Sequence, residues 1–211
     1  MILKRKIVTL RPIEESDLEF LQQMTNSSEL EETIVGWSWP VSMKGQRQWY
    51  QNFRNSDSFS RYIIETEEDG LVGLTGLRNI DWKNGTAETA GIRIYKTGLR
   101  GKGIAKDAYM TLLRFVFEEL RLNRISASSL ACNIISQRFM QKCGFKQEGV
   151  IREAVFKKGT YQDKVLFGCL KSDYEELLKT HNYWNISNLT GEGKCLWISR
   201  LQQNYSFAVC A

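Results

Sequence analysis

Apolar and polar residues alternate in the first part of the chain and then recur at helical spacing. Lys4 to Arg11 alternates, which predicts a first or edge strand. Leu18, Leu21 and Met24 then follow one another at the spacing of an amphipathic helix. After a less regular stretch, Ser42 to Asn55 predicts a second helix.

Three strand-like runs follow, joined by dipeptides that favour tight turns. They are Phe59 to Glu65, Leu71 to Asp81 and Thr86 to Tyr95. An Asp-Gly and an Asn-Gly dipeptide stand between them, and both are typical of two-residue hairpin turns. The pattern therefore predicts an antiparallel meander.

The second half of the chain starts with a long amphipathic helix from Gly103 and closes with a hairpin. The elements after this helix are a strand from Arg124 to Leu130, a helix from Ile134 to Lys142, hairpin strands from Phe145 to Phe156 and from Tyr161 to Leu170, and a helix from Ser172 to Leu178. Strands before, between and after helices predict an α+β fold: a mixed, mostly antiparallel sheet of about seven strands with helices on both faces.

Length and composition indicate one main domain. The chain has 211 residues, 42% of them hydrophobic and 25% charged, as in a soluble globular protein. We expect the domain over residues 1–184 and a C-terminal extension over 185–211, which packs on its own domain or on a neighbour. No run of about 18 uncharged apolar residues occurs, so we expect no membrane partner and a cytoplasmic protein. The cysteines form no C-x-x-C pair, and we expect no metal.

Glycines cluster where the longest helix begins. Gly98, Gly101 and Gly103 surround Arg100 and Lys102. Backbone amides at a helix start, the helix dipole and the absence of side chains together favour a phosphate ligand. The formal net charge of +5 suits a modest polyanion as well as nucleic acid, and no nucleic-acid-reading motif accompanies it.

Two common phosphate motifs are excluded at this turn. A Walker A loop would need Ser or Thr after Lys102, where Gly103 stands. The dinucleotide motif G-x-G-x-x-G fails because Lys106 follows, and the preceding strands are predicted to be antiparallel. ATP and NAD are therefore disfavoured.

The segment Arg100-x-x-Gly103-x-Ala105 resembles the R/Q-x-x-G-x-G/A signature of the GNAT superfamily of N-acetyltransferases, which binds the pyrophosphate of acetyl-CoA. The resemblance covers roughly residues 5 to 180. Three further segments are similar to the same family: Ala87-Glu88 with Gly91-Ile92-Arg93-Ile94, Asn133-x-x-Ser136 with Lys142-Cys143-Gly144-Phe145, and the hairpin from Phe156 to Asp163, which is similar to ribosomal-protein N-terminal, spermidine and amino-sugar acetyltransferases.

This resemblance implies a single GNAT-like domain whose fourth and fifth strands splay apart to hold the pantetheine arm of acetyl-CoA. A strand N–H between Ile92 and Ile94 would then face the thioester oxygen. The residues that the resemblance assigns to the co-substrate are Ile92, Arg93, Ile94, Arg100, Gly101, Lys102, Gly103, Ile104, Ala105, Asn133, Ser136 and Lys142.

For catalysis the resemblance implies a base and an acid. Glu88 is the candidate base, acting through water, and the alternative is an ordinary charged residue on a strand face. Met140 stands where the family commonly has a tyrosine acid, and methionine has no proton to donate. Tyr161, Cys143 or water could replace that acid, or the thiolate leaves unassisted. Cys143 as an acetylated nucleophile competes with its interpretation as a buried thiol.

The acceptor pocket is expected between the region from Glu29 to Trp49 and the last hairpin. Charge and stacking would suit a cationic or sugar-like amine. The candidate acceptor residues are Glu31, Glu32, Trp37 and Trp39, with Tyr161 from the hairpin. The alternative is that the tryptophans anchor a loop or a subunit contact.

The leading hypothesis is an N-acetyltransferase that moves acetyl from acetyl-CoA to a primary amine by direct attack in a ternary complex. The expected acceptor is a small molecule, namely a polyamine, an amino sugar or an aminoglycoside. A protein N-terminus is the alternative acceptor, and a non-catalytic acyl-CoA-binding module is the alternative class. Dimers are common in the family, so the resemblance leaves a homodimer open.

Overall fold

The computed structural model describes residues 2–5, 7–36, 39–53, 58–99 and 101–181, and within them eight strands form one sheet. The strands are β1 (Leu3–Lys4), β2 (Val8–Pro12), β3 (Ser60–Thr66), β4 (Gly70–Asp81), β5 (Thr86–Ile94), β6 (Arg124–Leu130), β7 (Lys146–Lys157) and β8 (Thr160–Leu170). Their order in the sheet is β1-β2-β3-β4-β5-β6-β8-β7. Every neighbouring pair is antiparallel except β5 and β6, which are parallel.

Six α-helices accompany the sheet in the described residues. They are α1 (Leu18–Thr25), α2 (Ser28–Glu31), α3 (Met43–Phe53), α4 (Ile104–Arg114), α5 (Ile134–Lys142) and α6 (Lys171–His181). A π-helical turn, Phe115–Glu119, continues α4. Residues Met1–Tyr174 group as one compact unit and Glu175–Ala211 as a second. The described helices include none with the length and apolar character needed to cross a lipid bilayer.

The two faces of the sheet are covered by different helices. Ile63 and Leu74 lie opposite each other on β3 and β4, and both pack in a buried cluster with α1 and α3. Tyr62 is the next residue on β3 and therefore points to the other face. Its ring meets Phe115, directly after α4, edge to face at a centroid distance of 6.3 Å. The predicted α+β fold with helices on both faces is confirmed.

The sheet has one strand more than the sequence pattern predicts. Leu3 and Lys4 pair with Leu10 and Thr9 as a two-residue strand, which is too short to produce a recognisable alternation. Helix α2, at Ser28–Glu31, also falls in a stretch without a clear pattern, and the hydroxyl of Ser27 caps it. The proposed extension over 185–211 lies outside the described residues.

Strands β5 and β6 separate after a short parallel ladder. Their pairing covers only Thr86 to Glu88 of β5 and Arg124 to Ser126 of β6. Both strands continue, β5 to Ile94 and β6 to Leu130, without further pairing to each other. The predicted splay is therefore present, and it opens a fissure within the sheet that begins at Glu88.

Candidate active site

The turn before α4 has an open backbone. Gly101 and Gly103 have φ angles of +83° and +82°, in the left-handed region that favours glycine. A methyl group built on Gly98 or Gly101 would meet no atom within 4 Å, and one on Gly103 would meet only Ile7 Cδ1, at 3.8 Å. A ligand can therefore approach this backbone closely.

The first turn of α4 is suited to an anion. Gly103 is the N-cap, and in the described part of the chain no side chain caps the helix. Ile104 is buried and anchors the turn, whereas Lys102 is exposed and Ala105 is half-buried. Amide N–H groups at such a helix start point outward with the positive end of the helix dipole. Arg100 lies outside the described residues.

A buried carboxylate ties the start of α4 to the first strands. Asp107 accepts hydrogen bonds from the amides of Ile7 (3.1 Å) and Val8 (3.3 Å) and from Arg5 Nη1 (3.1 Å). These contacts fix the turn between β1 and β2 beside the glycine turn. Sequence reasoning missed Asp107 because an acidic residue in a first helical turn is also common without any tertiary partner.

A cavity of about 320 Å³ lies beside the glycine turn. Lys102 and Ile104 line it from the turn and from α4. The rest of its lining comes from β1 and β2 and from the turn between β3 and β4: Lys4, Arg5, Ile7, Val8, Thr9, Thr66, Glu67, Glu68 and Asp69. Its walls carry charges of both signs, so a polar part of a ligand fits here better than an apolar one.

Strand β5 contains a bulge at the fissure. Thr75 of β4 pairs with Ile92 of β5, and Leu77 pairs with Thr89. The paired residues are two positions apart on β4 and three apart on β5, so β5 contains one extra residue. Gly91 has a φ of +80°. Its amide donates to Thr89 Oγ1 (3.0 Å), and its carbonyl accepts from Thr75 Oγ1 (3.1 Å). The two threonines thus hold the bulge, which sequence reasoning did not predict.

Beyond the bulge, β5 has a free edge. Ile92, Arg93 and Ile94 pair with β4 on one side. On the other side, no strand of the described residues pairs with them, because the ladder with β6 has ended. Unpaired backbone groups along a strand edge can bind an extended ligand as an added strand.

Glu88 lies at the start of the fissure. It is the last residue of β5 that pairs with β6. Its Oε2 accepts a hydrogen bond from Arg78 Nε at 3.1 Å. The side chains of Glu88 and Arg78 are 42% and 43% exposed. Glu88 is therefore both ion-paired and within reach of water.

Tyr161 is not next to Glu88. Gly168 of β8 lies opposite Ser126, the residue of β6 that pairs with Glu88. Tyr161 is seven residues away from Gly168 along β8, which corresponds to about 20 Å of strand. The Tyr161 side chain is 67% exposed, and its ring packs edge to face on Phe156 at a centroid distance of 5.2 Å.

Met140 on α5 and Cys143 at the end of this helix are both buried. Burial raises the pKa of the Cys143 thiol to about 12, so the thiol is neutral at pH 7. A neutral, inaccessible thiol is a poor nucleophile, which favours the interpretation of Cys143 as a core residue.

Asn133 and Ser136 form the start of α5. Asn133 Oδ1 accepts from the amide of Ser136 (3.0 Å), and its Nδ2 donates to the carbonyl of Thr33 (3.0 Å). The Asn133 side chain therefore caps α5 and joins it to the segment after α2. Lys142 is exposed at the other end of this helix. The structure gives Asn133 a structural role, and the predicted co-substrate contacts of these three residues stay predictions.

The acceptor region is joined to the last hairpin by two lysines. Lys157 Nζ contacts the Glu31 carboxylate and donates to the carbonyls of Glu31 and Gly36, each at 2.9 Å. Lys158 Nζ lies 2.7 Å from Glu32 Oε2. Both predicted acceptor carboxylates are therefore already paired with cations.

Of the two tryptophans predicted to bind the acceptor, the structure describes only Trp39. Trp39 is 73% exposed, on the segment between α2 and α3. Trp37 lies outside the described residues. Sequence reasoning missed Lys157, which is buried although it is charged, because nothing in its neighbourhood along the chain indicates the contact with Glu31.

Comparisons with known proteins agree with this geometry. The family model for the acetyltransferase (GNAT) domain matches residues 8–146. The prophage-derived N-acetyltransferase YokL of Bacillus subtilis is 30% identical over 168 residues, which cover 80% of this chain and 92% of YokL. The spermidine N(1)-acetyltransferase of Vibrio cholerae is 27% identical, over 79% of this chain and 95% of its own.

A solved structure is similar as well. The crystal structure of spermidine N-acetyltransferase from Vibrio cholerae with CoA and spermine superposes with a TM-score of 0.75 at 27% identity, and the match covers 81% of this chain and 99% of that one. The domain match, the relatives and the splayed sheet lead to one conclusion: the chain belongs to the GNAT family of N-acetyltransferases.

Proposed function

We propose that the protein transfers the acetyl group of acetyl-CoA to the primary amine of a small molecule while both substrates are bound. The observation that carries this proposal is the free edge of β5 leading directly to the open glycine turn of α4. An extended thioester arm that ends in a diphosphate matches both features in sequence.

The co-substrate site is built mainly from backbone. The amides of Gly103, Ile104 and Ala105 hold the diphosphate, with Lys102 adding a positive charge. Amides of β5 between Ile92 and Ile94 orient the pantetheine arm and donate to the thioester oxygen. Acetyl-CoA supplies the activated acetyl group. A related structure from Vibrio cholerae contains CoA, which supports this choice.

Glu88 acts as the base. An amine is mostly protonated at neutral pH and must lose a proton before it can attack a carbonyl carbon. The half-exposed Glu88 carboxylate accepts this proton through water, and its ion pair with Arg78 holds its orientation. Water protonates the CoA thiolate as it leaves, because Tyr161 is exposed and distant from Glu88 and the buried Met140 has no proton to donate.

The acceptor enters between the segment after α2 and the last hairpin. Contacts of Lys157 and Lys158 with Glu31 and Glu32 hold the two together. A small amine fits because a relative is named a spermidine N(1)-acetyltransferase. The acceptor classes of this proposal are polyamines, amino sugars and aminoglycosides.

A thiol-release assay with acetyl-CoA tests the proposal. The amine panel contains diamines, amino sugars, aminoglycosides and peptides with the N-termini of ribosomal proteins. Amine-dependent release of CoA with at least one small amine is the expected result. Release with the peptides alone would assign a protein acceptor instead. CoA binding without release for any amine would favour a non-catalytic acyl-CoA-binding module, the alternative that Met140 supports.

A further inference from the structure

Three arginines lie on the sheet face that packs against α1 and α3. They are Arg61 on β3, Arg78 on β4 and Arg93 on β5. Arg93 pairs in register with Leu74, and Arg61 lies two residues from Ile63. Since Leu74 and Ile63 belong to the core under α1 and α3, both arginines share that face.

The bulge places Glu88 and Arg93 on the same face. Residues five apart on a regular strand point to opposite faces. The extra residue of β5 between them reverses this alternation. Arg78, which lies opposite Glu88 and four residues from Leu74, therefore completes one surface formed by the candidate base and three guanidinium groups.

This surface has an excess of positive charge. Glu88 pairs with Arg78, whereas Arg61 and Arg93 have no acidic partner in the part of the chain that the structure describes. Burial, together with the charge of Arg93, lowers the pKa of Arg61 to about 10, and burial with the charge of Arg78 lowers that of Arg93. With that pKa, Arg61 remains charged at neutral pH.

The unpaired guanidinium groups are accessible. In the described residues, every fully buried side-chain nitrogen or oxygen has a hydrogen-bond partner. Arg61 and Arg93 are half-buried, and no hydrogen-bond partner is seen for their guanidinium groups in the described residues, so those nitrogens are not completely enclosed. The Arg61 guanidinium lies over the Trp49 ring of α3, 5.9 Å from its centroid, which holds its plane in place.

The acids that would suit a polyamine do not offset this charge. Glu31 and Glu32 already pair with Lys157 and Lys158 on the last hairpin. A polycationic acceptor would therefore find these carboxylates already paired, and on the sheet face of Glu88 it would meet two guanidinium groups that have no acidic partner in the described residues. An anionic group on the acceptor would meet partners that hydrogen-bond it in two places.

We propose that the acceptor is a small primary amine that also carries an anionic group, a carboxylate or a phosphate, which Arg61 and Arg93 bind while the amine reaches Glu88. The inference rests on the proposed acetyl transfer: it keeps a small amine as the acceptor and selects against polyamines and aminoglycosides, which carry no anionic group. It makes Arg61 and Arg93 specificity-determining residues.

Matched pairs of amines test the inference in the thiol-release assay. β-Alanine against propylamine tests a carboxylate, glucosamine 6-phosphate against glucosamine tests a phosphate, and spermidine is the cationic amine. We expect the member of at least one pair that carries the anionic group to have a kcat/KM about tenfold or more above its partner without that group. If spermidine or the partners without the anionic group are the better substrates, the acceptor inference is wrong and acetyl transfer still stands. If no amine releases CoA, both proposals are wrong.

Variants of Arg61 give the second measurement. Arg61→Gln should raise the KM of the amine with the anionic group about tenfold and leave that of its partner without this group unchanged. Arg61→Lys should recover part of the loss because it keeps the charge. Arg93→Gln should act in the same direction. Arg114→Gln is the control, because it removes a half-exposed arginine from the end of α4, on the opposite face of the sheet. Equal losses for both members of a pair would refute a charge-recognition role.

Discussion

Arg78 and Glu88 join β4 and β5 at the start of the fissure, with Nε 3.1 Å from Oε2. Both side chains are more than two-fifths exposed, and an ion pair so open to water adds little to folding stability. The ion pair matters for geometry instead, because it holds the Glu88 carboxylate beside the free edge of β5.

Replacing Glu88 tests its role as the base. Glu88→Gln keeps the size of the side chain and removes its capacity to accept a proton, so we expect kcat to fall about a hundredfold or more. The KM for acetyl-CoA should change little, because the co-substrate contacts come from backbone. Steady-state kinetics with a small amine measure both. Glu118→Gln is the control, since Glu118 is also a half-exposed, arginine-paired carboxylate. A Glu88→Gln enzyme with normal kcat would exclude this base.

A methyl group on Gly103 tests the anion site. Gly103→Ala forces a non-glycine residue to a φ of +82° and places a methyl group in the open space before α4. We expect the KM for acetyl-CoA to rise about tenfold, with the KM for the amine nearly unchanged.

The control for this variant is Gly85→Ala. Gly85 also has a positive φ, +64°, but lies in the turn between β4 and β5. It should lose a similar amount of stability and keep its affinity for acetyl-CoA. Calorimetric titration with CoA separates the two variants, and equal affinities would remove the glycine turn from the binding site.

The local parts of this fold and site could be predicted from sequence. The Asn-Gly and Asp-Gly turns, the alternation of the strands and the glycines before α4 are each determined by residues within a few positions of one another. For this reason the order of the elements and the two covered faces were correctly predicted, whereas the anion site at Gly103 stays a prediction. The splay of β5 from β6 followed from the family resemblance.

The parts that were missed depend on contacts between distant segments. Lys157 reaches Glu31 across 126 positions, and Asp107 reaches Ile7 across 100. Nothing near these residues indicates that their charges are buried and paired. The bulge at Gly91 was missed because a glycine within a strand is compatible with a regular ladder as well.

Lys157 should stabilise the acceptor segment more than its neighbour Lys158 does. Lys157→Met leaves the Glu31 carboxylate and two carbonyls without a buried cation, so we expect a loss of about 2 kcal/mol in unfolding free energy. Lys158→Met removes only an exposed pair with Glu32, which water screens, and should lower the unfolding free energy much less.

Two measurements check this difference. Hydrogen exchange over residues 28–36 should speed up in Lys157→Met, and the KM for the amine should rise. Lys158→Met should resemble the wild type in both. Similar behaviour of the two variants would show that the buried lysine does not order the acceptor segment.

Asp17 should make the protein less stable in acid. Burial alone would raise its pKa, but hydrogen bonds from Arg11 (2.7 and 2.8 Å) and from the Glu14 amide (2.8 Å) outweigh burial and hold the pKa below its usual value. A carboxyl with a lowered folded-state pKa contributes stability above its unfolded pKa of about 4 and loses it as the pH falls through the folded value.

Asp17→Asn should therefore lower the unfolding free energy at pH 7 by about 3 kcal/mol. The difference from the wild type should shrink below about pH 4, as urea titrations at several pH values would measure. Glu19→Gln, which alters an exposed carboxyl on the next turn, should show no such pH-dependent difference, and a constant deficit for Asp17→Asn at every pH would contradict the role of its charge.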